Sequence, residues 1–181
     1  MDSYAEQIVK KEDGGEDNKK RVLCLAGGIA AGILLIAAGS LIHLSVVGAV
    51  LGIAAFYGGL YMGTNYDVEY EYLIVNGEFD IHKILAKKRR KKMLTVKVSD
   101  FEGFGRYDDN VQDDSEATII WALGTSQYEK CENYYADFNH ETYGKCRLLF
   151  SPSVKVLREI KLYIKGPLKN AVGELPPEEE L

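Results

Sequence analysis

Residues 67–84 read DVEYEYLIVNGEFDIHKI, and their pattern decides the fold. Val68, Tyr70, Tyr72 and Ile74 alternate with Glu69 and Glu71, so apolar and acidic groups take opposite faces of a strand. Asn76 and Gly77 are the residue types that accept the left-handed backbone of a two-residue hairpin turn. Phe79 and Ile81 then resume the alternation on a returning strand. One face of this hairpin is apolar and needs a cover.

Working outward toward the C-terminus, MLTVKV at residues 93–98 predicts a third strand with Leu94, Val96 and Val98 inward and Thr95 and Lys97 outward. Further strands are expected at 118–124 (TIIWALG), 131–138 (CENYYADF) and 145–150 (KCRLLF). The intervening DFEGFGRYDDNVQDDSEA has an aromatic first half able to pair and an acidic second half suited to water. That acidic half lacks the central glycine and terminal glutamate of a helix-loop-helix calcium site. Ser153 can cap a helix over residues 153–165, where Val154, Leu157, Ile160 and Ile164 recur at helical spacing. Residues 166–181 read as an acidic, disordered tail. The expected unit at 66–165 is a mainly antiparallel β domain, a bent sheet or open barrel, closed by its C-terminal α-helix. Tyr70, Tyr72, Tyr134, Tyr135 and Trp121 are expected in its core.

Working outward toward the N-terminus, the 41 residues from Val22 to Met62 contain no Lys, Arg, Asp, Glu, Asn, Gln or Pro. A bilayer core of about 30 Å takes roughly 20 helical residues per crossing, so the run suits a two-helix transmembrane hairpin at about 21–39 and 44–63. One tilted helix would be about twice the hydrocarbon thickness, and the remaining domain is too small to bury both helices within a soluble core. The charged residues before the run and its continuity past IAAGS argue against a cleaved signal peptide. Lys10, Lys11, Lys19, Lys20 and Arg21 precede the spans, cations follow them, and the connecting turn has none. The positive-inside rule therefore predicts a plasma-membrane protein with both termini cytoplasmic. Residues 1–20 form a cytoplasmic N-terminal segment in this reading, with MDSYAEQIVKK a short helix at the membrane surface.

A hairpin followed by VEYEYLIVNGEFDIHKILAKKRRKKMLTVKVSDFEGFG resembles small, uncharacterised two-span membrane proteins of clostridia-like Gram-positive bacteria. The close resemblance runs from about residue 65 to 105. More distantly the layout is similar to bacterial pleckstrin-homology-like membrane-associated domains. That resemblance implies a pleckstrin-homology-like fold and no established catalytic residue. In lipid-binding members of that fold cations cluster at the first hairpin turn, whereas here that turn is VNGEF and the cations come at the second.

Those cations are Lys87, Lys88, Arg89, Arg90, Lys91 and Lys92, in a chain of net charge −5. Four partners suit such a knot: anionic inner-leaflet lipid, an acidic protein surface, nucleic acid, or water alone. From Asp67 onward the chain holds 17 Lys and Arg against 21 Asp and Glu, which weighs against a nucleic-acid footprint. Near an anionic leaflet each cation is worth about 1 kcal/mol, so lipid contact would orient the sheet. Gly28 and Gly32, then Gly48 and Gly52, sit four apart and let helix backbones approach, either closing the hairpin or forming a homodimer.

No phosphate-cradling glycine loop, nucleophile elbow or His-Glu-x-x-His occurs. Cys131 or Cys146 with His140 makes only an unoriented thiol–imidazole pair, and the three fall short of a four-ligand zinc site. No metal or cofactor is expected. The leading reading is a non-catalytic, membrane-anchored cytoplasmic adaptor, sensor or accessory domain contacting anionic lipid or a protein partner. The alternatives are an accessory subunit of a membrane transport or secretion complex, and a small-ligand or enzymatic site near Cys131 and His140.

Overall fold

The computed structural model describes residues 3–11, 15–108, 116–126 and 131–176, with side chains of the first helix from Asn18. Most of the acidic stretch expected to face water, residues 109–115, lies outside them. The chain divides into two compact units.

The β unit comprises Met1–Glu12, Glu69–Ile84 and Arg90–Leu181. Its first sheet has the order β1 (Tyr4–Lys10), β2 (Val68–Val75), β3 (Glu78–Leu85), β4 (Arg89–Lys97). Its second has the order β5 (Gly103–Arg106), β7 (Tyr134–His140), β8 (Gly144–Phe150), β6 (Thr118–Ala122). β1–β2, β5–β7 and β7–β8 are antiparallel, and β6 runs parallel to β8. Leu94, Val96 and Val98 are buried and Lys97 is exposed, as the alternation predicts.

The N-terminal segment corrects the sequence reading. Residues expected as a surface helix form strand β1, in register from Tyr4 opposite Val75 to Lys10 opposite Glu69. Ala5, Gln7 and Val9 face inward, so the period of two is real but is disguised by an amide in the buried row. The chain thus leaves β1, forms both helices, and returns as β2 beside the strand it left.

Aromatic rings join the sheets. Phe150 of β8 lies 5.9 Å from Tyr72, 5.4 Å from Phe79 and 6.4 Å from Phe104, centroid to centroid. Helix α3 (Val154–Tyr163) is capped by Ser153, whose hydroxyl accepts from Val156 N, and buries Val156, Leu157 and Ile160. Beyond it, residues expected as tail form a 3-10 turn (Gly166–Leu168) and helix α4 (Lys169–Val172). Val172 is buried, and Lys161 and Arg158 donate to the carbonyls of Gly173 and Pro176, which holds this segment against α3.

The helical unit contains α1 (Gly15–Leu41), α2 (Ser45–Thr64) and the turn Leu85–Arg89. Both helices are long and apolar enough to cross a membrane. Their packing is the reverse of a water-soluble pair. The seam is glycine, while Leu34, Leu41, Val46 and Ile53 point outward and are more than half exposed.

Candidate functional site

The boundary between the two units falls inside the cationic knot. In the helical unit, Lys87 and Lys88 occupy a tight turn closed by Lys88 N donating to Leu85 O at 3.1 Å. Ala86 and Lys87 have φ of 52° and 55°, a left-handed pair that ordinary L-residues adopt at a cost of roughly 1–2 kcal/mol each. Ala86 N donates to Asp67 O at 2.9 Å, and Arg89 Nη2 donates to Asn65 Oδ1 at 2.7 Å. Asn65 is the residue that ends α2, so the basic turn is fastened to that helix end. The double substitution Ala86→Asn, Lys87→Gly supplies the residues this turn geometry prefers. It is expected to raise stability by about 1 kcal/mol, read as a higher thermal midpoint, and a lower midpoint would contradict the turn assignment.

In the β unit the remaining cations divide. Arg90 Nη2 lies 3.0 Å from Glu71 Oε1, a carboxylate buried on the sheet's outer face, and the other oxygen is 3.5 Å from His82 Nδ1. Lys92 Nζ lies 3.0 Å from Asp80 Oδ1, which also accepts from the Thr95 hydroxyl. Partial burial opposes ionisation of Asp80, but the Thr95 hydroxyl and the Lys92 ammonium outweigh it and hold its carboxyl below the ordinary value. Lys91, between these two anchored cations, borders a groove of about 420 Å³.

That groove was not legible as a site. Its other borders include Lys83, Met93, Trp121 and Tyr143. Trp121, expected in the core with the tyrosines, is 53% exposed, whereas Tyr70, Tyr72 and Tyr134 are buried. The strand expected at 118–124 forms as β6, an edge strand of its sheet, and Trp121 lies on it. Tyr143 is held by its ring stacking on His140, centroids 4.9 Å apart.

The predicted glycines meet across the helical seam. An added Cβ at Gly28 would fall 2.9 Å from Gly59 Cα, and one at Gly32 would fall 2.9 Å from Gly52 O. One at Gly48 would fall 2.8 Å from Leu35 O and 2.9 Å from Gly39 Cα. These positions accommodate hydrogen only, which lets α1 and α2 pack backbone to backbone.

Cys131 and His140 are not brought together. Cys131 precedes β7 and His140 ends it, so a strand of seven residues, roughly 20 Å, lies between them. His140 Nδ1 accepts from Thr142 N, and Cys131 Sγ lies 3.4 Å from Gln7 Nε2. Burial raises the pKa of the Cys146 thiol, the direction that suppresses a nucleophile. Among the described residues no group of three or more His, Cys, Asp or Glu is placed to hold a metal ion.

The family model described as a bacterial PH-like domain (DUF6106) matches residues 1–170. The match covers β1, both helices, all later strands and α3, so the helical hairpin lies within the family's domain. No curated protein and no solved structure matches the chain. With two helices, a mixed β unit and helix α3 all inside one family match, the chain belongs to the bacterial PH-like domain family.

Proposed function

We propose that this protein is a non-catalytic, membrane-anchored PH-like domain whose helical hairpin crosses the plasma membrane twice and whose β unit contacts the anionic inner leaflet. It acts there as an adaptor or sensor. The observation that carries this reading is the pairing of Lys10 with Glu69. The segments flanking the hairpin are adjacent strands of one sheet, which supports an even number of crossings and termini on the same side. The inverted packing, with glycine inside and aliphatic side chains outside, supports hydrocarbon as the surrounding solvent. Cations flank both spans and are absent from residues 40–45, which supports the cytoplasm as that side.

The basic turn supports lipid contact because its hydrogen bonds fasten it to the end of α2, the level at which headgroups begin. Arg90 and Lys92 answer buried or half-buried carboxylates, so Lys88, Arg89 and Lys91 are the cations best able to reach phosphate. Each contributes about 1 kcal/mol near an anionic surface, screened at raised salt.

Reporter fusions after Leu181 and within residues 40–45 are expected to give cytoplasmic and external signals respectively. An external signal from the C-terminal fusion would overturn the topology. The full chain in nanodiscs is expected to show slower amide exchange over residues 85–92 with phosphatidylglycerol than with phosphatidylcholine alone. Raised salt, or Lys88→Gln with Arg89→Gln and Lys91→Gln, should erase the difference. Identical exchange in both lipids would remove the leaflet contact and leave the anchor.

A further inference from the structure

β4 is an edge strand of the first sheet and β6 an edge strand of the second, and the groove of about 420 Å³ is bordered by residues of both. Its size falls in the roughly 300–1,000 Å³ range of small-ligand sites. The two walls differ in chemistry. Lys83, Lys91 and Lys92 come from the first sheet with Met93, while Ile120 and Trp121 come from β6 and Tyr143 from the β7–β8 turn. The bordering residues include no carboxylate. Lys92 is shared with Asp80, whereas Lys83 and Lys91 have no ion pair among the described residues.

Trp121 and Tyr143 are 53% and 54% exposed, amphipathic rings of the type enriched at membrane–water boundaries. An apolar partner would leave the lysines unneutralised, and a polyanion would leave the Ile120–Trp121 wall in contact with charge. An anionic head joined to an apolar body satisfies both walls. We propose that this groove binds one anionic phospholipid, its phosphate held by Lys83 and Lys91 and its glycerol and upper acyl chain lying on Met93, Ile120 and Trp121. The proposal rests on the membrane reading above and goes beyond it, replacing diffuse attraction to the leaflet by a site for a single lipid. An anchored chain meets that lipid at high local concentration, so a weak site fills.

Trp121 is the chain's single tryptophan, which makes the groove optically addressable. In the full chain reconstituted in nanodiscs, phosphatidylglycerol is expected to blue-shift Trp121 emission and shield it from acrylamide. Phosphatidylglycerol with brominated acyl chains is expected to quench it more strongly than brominated phosphatidylcholine at equal mole fraction. Lys83→Gln with Lys91→Gln is expected to weaken the apparent phosphatidylglycerol affinity roughly 30-fold, the product of about 1 kcal/mol per lysine. Lys155→Gln with Lys165→Gln, exposed and outside both the groove and the basic turn, is expected to leave the affinity within a few-fold, and circular dichroism checks that both double variants fold. Equal quenching by the two brominated lipids would overturn the site while leaving interfacial contact intact. A blue shift produced by an acidic amphipathic peptide in phosphatidylcholine nanodiscs, with none from phosphatidylglycerol, would assign the groove to a protein strand instead. Failure of the membrane reading itself is read separately, as extraction of the chain from native membranes by alkaline carbonate.

Discussion

Deleting residues 1–11 is expected to abolish cooperative unfolding of the β unit, and Gln7→Leu alone to cost about 2–4 kcal/mol. Ala5 and Val9 are fully buried in β1, and Gln7 is 8% exposed. Its Nε2 donates to Ser151 O at 3.1 Å, and its Oε1 accepts from Ser153 N at 2.6 Å. Ser153 is the residue that caps α3, so one side chain of the first strand ties the sheet to the start of the closing helix. Leucine fills the volume but leaves the buried Ser151 carbonyl and the part-buried Ser153 N–H unanswered, each worth about 1–3 kcal/mol. Tyr4→Ala, on the exposed face of the same strand, should shift stability by no more than about 0.5 kcal/mol. Denaturant unfolding of the full chain in nanodiscs, followed by Trp121 fluorescence, separates these cases. A chain beginning at Asn65 that unfolds with the wild-type midpoint would show β1 to be dispensable.

The same strand shows where the sequence stops being readable. Asn76-Gly77 and the alternation around it are local signals, and a hairpin forms there because two residues set the turn and the next eight set the faces. β1 has no turn to announce it, since its partner lies about sixty residues away across both helices. Its inward row also carries Gln7, whose burial depends on acceptors and donors at Ser151 and Ser153 that no local window contains. The tail fails for a related reason. In GPLKNAVG the apolar residues Leu168, Ala171 and Val172 are too few to announce a buried face, and Val172 is buried where Arg158 and Lys161 donate to carbonyls at residues 176 and 173.

The site divides in the same way. Lys87 to Lys92 stand out by composition, yet which of them face a partner depends on Glu71 and Asp80, carboxylates two strands and one strand away. The turn itself is hard to place because Ala86 and Lys87 adopt a conformation usually left to asparagine and glycine. Trp121 is exposed where the sequence predicts core, since a continuous apolar run cannot say whether its strand is central or an edge. The groove needs residues from β3, β4, β6 and a turn, and only the strand order brings them together.

Phe150→Ala is expected to cost about 3–5 kcal/mol, because this ring is where the two sheets meet. Phe150 is fully buried and contacts rings contributed by β2, β3 and β5. Truncation removes three aromatic contacts worth about 0.5–1.5 kcal/mol each beyond their area and leaves a cavity that flanking strands cannot close. One of those partners, Tyr72, is itself fixed. Its hydroxyl donates to Ala122 O and accepts from Ser151 N at 3.2 Å, and burial pushes its phenol well above the ordinary value. A buried tyrosine held at both ends cannot swing to fill the space, so the cost should fall in the upper part of the range. Ala122 also sits opposite Phe150 in the β6–β8 register, next to Trp121. Phe150→Ala should therefore loosen β6 before the unit unfolds, and Trp121 should become more accessible to acrylamide at temperatures where circular dichroism is still native. Leu162→Ala, on the exposed side of α3, should change stability by no more than about 0.5 kcal/mol and leave Trp121 untouched. A loss below about 1 kcal/mol at Phe150 would mean that the sheets are held chiefly by α3 and the Gln7 network, and not through their aromatic faces.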